Sequence, residues 1–259
     1  MMKGCSIANR LITRWVLAGT VLLSSLSVVA VAQFSRGFGN MGFNEPPKDT
    51  EFVFARVRYN SGGRRIFGGS GWAHDYPDAE EHILQVAKEA TLINTQKMSY
   101  VVVDLESEEI FKYPFLYFSE VGEMNMTERE IVNFREYLNR GGFAMIDDFD
   151  GQWALEWFLS QMKRVFPGRE FARMIIEHPI YHTYYDIPTL ALESPYQYAD
   201  GPPVFYGYFD ERGRLLMIIN HNNDVGDFWE WIDQPRFPLQ PSTEALRLGI
   251  NYFIYSMTH

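Results

Sequence analysis

Three carboxylates, Asp147, Asp148 and Asp150, follow the apolar run Phe143-Ala144-Met145-Ile146. Aspartates at the carboxyl end of a buried strand can recruit a hard cation or hold the polar groups of a ligand. Successive strand residues point to opposite faces, so Asp147 and Asp148 need a turn before both can reach one pocket. The trio forms no EF-hand loop. Its alternative use is a solvated strand end, with one acid capping the helix that follows.

Two histidine-bearing segments could meet these acids. His178 and His182 are four residues apart, but Pro179 prevents an uninterrupted helix from aligning them. His178 is the better site candidate, with His182 or Asp186 able to orient it if the chain folds back. Imidazole can exchange a proton near neutral pH or bind zinc, and a structural or surface histidine is the competing reading. The run Asn220-His221-Asn222-Asn223-Asp224-Val225-Gly226-Asp227 supplies His221 and Asp224 as partners for His178 or Asp147, although Asn, Asp and Gly serve turns equally well. The expected pocket brings Asp148, His178 and His221 together.

A Gly-rich loop, 60–77, adds Trp72 and His74 in Gly71-Trp72-Ala73-His74-Asp75-Tyr76-Pro77. Gly62-Gly63 and Gly68-Gly69 permit sharp turns. They make neither the phosphate-cradling G-x-x-x-x-G-K-S/T pattern nor G-x-G-x-x-G, so the loop is read as a cover over the sheet, with ligand contact as the alternative. Trp153 and Trp157, one helical turn apart, read as core anchors. Trp229 and Trp231 lie beside turn residues and read as exposed recognition candidates for sugar or peptide.

The elements that must position these residues follow from periodicity. Strands are expected at 52–59, 100–105, 113–118, 143–146 and 173–176. A hairpin is expected from 204–209 and 214–220 around Asp210-Glu211-Arg212-Gly213. Helices are expected from Pro77 to about Ile93, from a Thr127/Glu130 capping box to Leu138, from Trp153 to Val165, and from Ser242 to Met257. Residues 228–241 read as irregular. Alternating strands and helices predict one α/β domain over 50–259, with a partly parallel sheet and antiparallel additions.

The 259 residues carry a formal charge of -10, and 16% of them are aromatic. Without a basic cluster, an acidic chain is not expected to bind nucleic acid, because phosphate neutralisation needs lysine and arginine on one face. Residues 1–32 read as a signal peptide: Lys3, Arg10 and Arg14 precede an apolar run ending in Ala30-Val31-Ala32. An uncleaved membrane anchor is the alternative, since Trp15 to Ala32 is barely long enough to span a bilayer. Cleavage removes three of the 23 basic residues and none of the 33 acids, leaving a charge of about -13. The one cysteine, Cys5, falls in the leader, so the mature chain has no disulfide and no thiolate nucleophile. Residues 33–49 read as a flexible connector. The expected location is periplasmic or extracellular, or tethered with the domain outside the membrane.

The segments Phe54-Ala55-Arg56-Val57-Arg58-Tyr59, Tyr113-Pro114-Phe115-Leu116-Tyr117, Gly141-Gly142-Phe143 to Asp147-Asp148, and His178-Pro179-Ile180-Tyr181 occur in an order and spacing that resembles an exported bacterial family, domain of unknown function 4159. The resemblance covers about residues 50–257. It implies a class I glutamine-amidotransferase-like fold with a flavodoxin-like three-layer core, but not that chemistry, since neither a cysteine nor a serine elbow is present. The expectation is an envelope-associated binding or assembly domain whose partner is an envelope protein, glycan, peptide or small molecule, with peripheral membrane association allowed. The alternative is a hydrolase acting on an exported small molecule, glycan or peptide. The residues name no cofactor or metal.

Overall fold

The computed structural model describes residues 45–61, 71–197 and 201–259. The leader, residues 33–44 of the connector, and the glycines at 62–63 and 68–69 lie outside the described residues. Residues Asn44–His259 form one compact unit.

Seven strands make one mixed sheet in the order β2-β1-β3-β4-β7-β6-β5. They are β1 (Phe54–Arg58), β2 (Tyr100–Asp104), β3 (Phe115–Ser119), β4 (Phe143–Phe149), β5 (Phe171–Arg173), β6 (Val204–Phe209) and β7 (Leu215–His221). The first five in that spatial order run parallel, whereas β6 and β5 are antiparallel additions. The expected hairpin forms β6 and β7, closed by Asp210 N donating to Arg214 O at 3.0 Å.

Five helices occur among the described residues: α1 (Asp78–Ala90), α2 (Glu128–Asn139), α3 (Gly151–Val165), α4 (Val225–Glu230) and α5 (Leu239–Thr258). Alternate strand residues divide the core into two. Ala55, Val103, Phe118 and Ile146 pack with Phe134 of α2 and Phe158 of α3. On the opposite face, Phe54, Tyr117 and Met145 pack with Ile83 of α1, Trp229 of α4 and Phe253 of α5. Strands buried on both faces are what a parallel sheet requires. The capping box is present: Thr127 Oγ1 accepts from Glu130 N, and the Glu130 carboxylate accepts from Thr127 N. No described helix is long and apolar enough to cross a membrane.

Several boundaries differ from expectation. Helix α5 starts three residues before Ser242, at Leu239, because Pro241 falls in the first turn, where its missing N–H removes no intrahelical bond. Pairing of β5 starts at Phe171 rather than Arg173, opposite Tyr208 of β6. Residues 225–230, read as polar loop and irregular chain, form α4, whose N-cap Asp224 accepts from Asp227 N at 2.8 Å.

Candidate acidic centre

The carboxyl ends of the parallel strands all lie at one end of the sheet, and the loops leaving β1, β3, β4 and β7 meet there. Strand β4 continues to Phe149, with a register irregularity against β7 between Ile146 and Phe149. Asp148 there has φ +53°, supplying the turn that two adjacent aspartates need. Asp147 is fully buried and accepts from Asn220 Nδ2 (2.9 Å), Gly226 N (2.9 Å) and Tyr117 Oη (3.2 Å). The Asp148 Oδ2 atom accepts from Ser119 Oγ at 2.8 Å and lies 2.9 Å from His74 Nδ1.

His74 and Asp75 come from the loop after β1. His74 Nδ1 is also 2.8 Å from Asp75 Oδ1; the imidazole is 38% exposed, but Nδ1 itself is buried. Asp224 completes the group: one ligand atom from each of His74, Asp75, Asp148 and Asp224 lies within 4.8 Å of all the others. A carboxylate oxygen of Asp75 makes a second such group with Asp227 and Glu230.

The loop carrying His74 is held from below. Arg56 of β1 is wholly buried, and its Nη1 donates to Trp72 O (2.9 Å) and His74 O (2.6 Å). Its Nε donates to the buried carboxylate of Glu80 in α1, and the guanidinium lies 4.7 Å from the centre of the Tyr117 ring. Backbone conformation is costly around the centre. Asp75, Glu120, Asp148 and Asn222 all have φ between +52° and +62°, each in a loop or bulge at the carboxyl end of a parallel strand. Such residues are unfavourable unless the surroundings enforce them, and they gather at sites.

Burial and mutual repulsion raise the acids here. Burial chiefly, helped by Asp148, lifts Asp147 to about 7 against the pull of its Asn220 and Gly226 donors. Burial and Asp148 lift Glu120 to about 8, and burial with Asp75 and Asp227 lifts Glu230 to about 7. Asp75 and Asp224 are also raised, burial again leading. The Asp148 and Asp75 carboxylates beside its Nδ1 raise His74 to about 11. All of these shifts make the folded chain hold protons more tightly than the unfolded chain. The acids' contribution is full below about pH 4 and is lost as pH rises to the folded values near 7–8; that of His74 is full below about 6.5 and is lost toward 11. The melting temperature of chelator-treated protein should therefore fall as pH is raised from 5 to 8 in a calorimetric series. A flat or rising profile would show that these carboxylates are not strained by burial.

The sequence-derived candidates divide clearly. Asp147, Asp148, His74 and Asp224 converge, and Trp72 contributes its carbonyl to Arg56 and its ring to an open cleft of about 720 Å³ beside Arg58 and Asp104. His178 does not join them. It packs against Phe209 and Tyr255 near the amino ends of β4 and β7, because the short turn after it docks on α5 rather than on the strand ends. His221 is at the correct end of the sheet but faces Phe149 and Tyr206 on the α3 side, with its Nε2 3.2 Å from Gly151 O. His182 is an exposed clip, its ring nitrogens meeting Asp186 and Ile176 O rather than His178. Asp150 is exposed at the N-cap of α3, but Asn222 Oδ1 accepts from Gly151 N at 3.0 Å.

The tryptophan expectations are corrected. Trp229 is fully buried, packed between Phe54, Tyr117 and Phe253, because α4 turns it beneath the sheet end. Trp231 is partly covered by the Arg236 guanidinium, 4.2 Å from its ring centre, so the two form no joint exposed patch. Trp153 is 47% exposed and stacks on the partly buried Trp157, which donates to Met124 O, so this pair lies at the margin of the core. Asp75, Arg56, Glu80, Glu120 and Glu230 were not among the residues singled out. Adjacency to His74 could have flagged Asp75, and position just after a strand could have flagged Glu120. Arg56 had no signal beyond a charge within a strand.

A family model described as a domain of unknown function, DUF4159, matches residues 53–257. The chain belongs to this family. The match spans every strand of the sheet and all five described helices apart from the last residue of α5, so the acidic centre is built wholly from DUF4159 residues. No curated protein matches the chain.

Proposed function

We propose that this DUF4159 chain is an exported, envelope-associated binding domain that takes a cationic ligand at the carboxyl ends of β1, β3, β4 and β7. The observation that carries the reading is the meeting of His74, Asp75, Asp148 and Asp224 from two separate loops and a strand-end bulge. Buried like charges are unfavourable by themselves, and an opposite charge among them removes the cost. The parallel strand order β2-β1-β3-β4-β7 matches a flavodoxin-like 2-1-3-4-5 core, which supports kinship with the class I glutamine-amidotransferase-like fold. In such sheets ligands sit where the strand order reverses, here between β1 and β3, beside His74 and Glu120. The leader motif supports export, and the net charge of -10 favours a cationic partner over nucleic acid.

The test is a thermal-shift panel on the purified full-length protein, using divalent cations, polyamines, amino sugars and basic peptides. At least one cationic class should raise the melting temperature, and Asp148→Asn should remove the effect. Equal protection of wild type and variant would place the ligand elsewhere.

A second reading, hydrolysis of an exported small molecule, glycan or peptide, is favoured by Glu120 and Glu230. Both are lifted into the neutral range beside the centre, where a carboxyl can serve as a general acid. Turnover of ester, glycoside or peptide reporters, lost in Glu120→Gln, would support it; reporter turnover unchanged by that substitution would count against it.

A further inference from the structure

The Asp75 carboxylate, like His74 Nδ1, is left incomplete by its protein neighbours. Its side chain is 1% exposed, its Oδ1 meets His74 Nδ1, and its Oδ2 has no hydrogen-bond partner. That oxygen points inward: a Cβ placed on Gly226 would sit 2.9 Å from it and 3.6 Å from Asp224 Oδ1. A buried acceptor without a donor is costly, and a cation is the other group that can satisfy it.

The surrounding atoms have the types and separations a metal shell needs. An imidazole Nδ1 with one proton cannot bond well to two carboxylates at once, yet His74 Nδ1 lies 2.8 Å from Asp75 and 2.9 Å from Asp148. With its lone pair turned to an ion, the same three atoms become neighbouring ligands. Ligands about 2.0–2.2 Å from a common ion are roughly 2.8–4.4 Å apart; His74 Nδ1 lies 2.8 and 2.9 Å from its two carboxylate neighbours, and all four ligand atoms fall within 4.8 Å of one another. Gly226 leaves the space open, since a Cβ there would also lie 2.7 Å from Tyr117 Oη. A nitrogen ligand among oxygens favours a first-row transition ion over calcium or magnesium.

We infer that the centre is a metal site for a divalent transition ion of the zinc or manganese class, ligated by His74 Nδ1 and by one oxygen each of Asp75, Asp148 and Asp224. This deepens the binding reading above and rests on it. Second-sphere support is present, since Ser119 Oγ donates to Asp148 and Asp227 N donates to Asp224. Glu230 lies beside the site, in the second carboxylate group that Asp75 joins, and the far side of the partly exposed imidazole borders solvent.

The experiment strips full-length protein with chelator, then adds Zn²⁺, Mn²⁺ or Ca²⁺ and measures retained metal after gel filtration, affinity and melting temperature. Zn²⁺ or Mn²⁺ should be retained at about one ion per chain and raise the melting temperature. His74→Ala and Asp148→Asn should each weaken binding by about tenfold or more, with His182→Ala unchanged. Circular dichroism establishes folding, and His74→Ala, altering a partly exposed side chain, keeps the test decisive if Asp148→Asn fails to fold. No retained ion, or folded His74→Ala binding as tightly as wild type, would overturn the assignment. Protection by a polyamine or basic peptide, lost in Asp148→Asn without metal retention, would reject the metal while leaving the binding reading intact. Absence of protection by any cation would remove both.

Discussion

Replacing Arg56 with methionine should destabilise the protein by about 3–5 kcal/mol, the range for leaving one partner of a buried ion pair alone. The guanidinium and the Glu80 carboxylate are both wholly buried, so water cannot replace the lost charge at Glu80. Two further losses accompany it. The carbonyls of Trp72 and His74 lose their donor, and the face of Tyr117 loses its cation. Urea unfolding gives the stability change. The double substitution of Arg56→Met with Glu80→Met should recover much of it, because no charge is then stranded. It should not recover ligand binding, since nothing would tie His74 and Asp75 to β1. A loss below about 1 kcal/mol in the single variant would mean that the pair does not hold the loop.

Truncating Trp229 to alanine should cost a similar amount, about 3–5 kcal/mol, for a reason unrelated to charge. Its ring fills the space between Phe54, Tyr117 and Phe253, and its Nε1 donates to Ala245 O at 3.1 Å. Gly249 on α5 leaves room for it: a Cβ there would lie 2.7 Å from the indole. The cavity formed would sit under α4, the helix that carries Asp227 and Glu230 and is capped by Asp224. Denaturant midpoint should fall, and affinity at the centre should fall with it even where the variant remains folded. A recognition tryptophan on the surface would behave oppositely, losing a partner while leaving the midpoint unchanged. Calorimetry and ligand titration on the same preparation separate the two.

Much of the scaffold was legible before the structure. The alternation of strand segments and amphipathic helices located β1 to β4, the β6–β7 hairpin and four of the five helices to within a few residues. In these segments side-chain burial repeats locally. The Thr127/Glu130 box was readable for the same reason, since both of its bonds close within one helical turn. The exception, α4, is six residues long and depends on Asp224 and on the pocket for Trp229, so periodicity had too little length to register it.

The site was half legible. Asp147 and Asp148 could be placed at the end of a strand, and the need for a turn between them could be stated; the left-handed conformation of Asp148 meets it. The choice of histidine partner could not be made. His178 and His221 stood in polar or family-like segments, whereas His74 stood in a Gly-rich loop that resembled a cover. His74 reaches Asp148 because β1 and β3 are neighbours, with β4 beside β3, and because Arg56 draws the loop inward.

The sequence by itself determined the α/β class, the family, the identity of most elements and the acids at the end of β4. These follow from periodicity along short stretches and from motifs that recur in order. Only the tertiary structure decided that His74, Asp75, Asp148 and Asp224 share one centre, that His178 lies at the far end of the sheet, and that Trp229 is core. Strand order joins segments separated by up to about 150 residues, and the pattern of side chains along one strand carries no record of its neighbour.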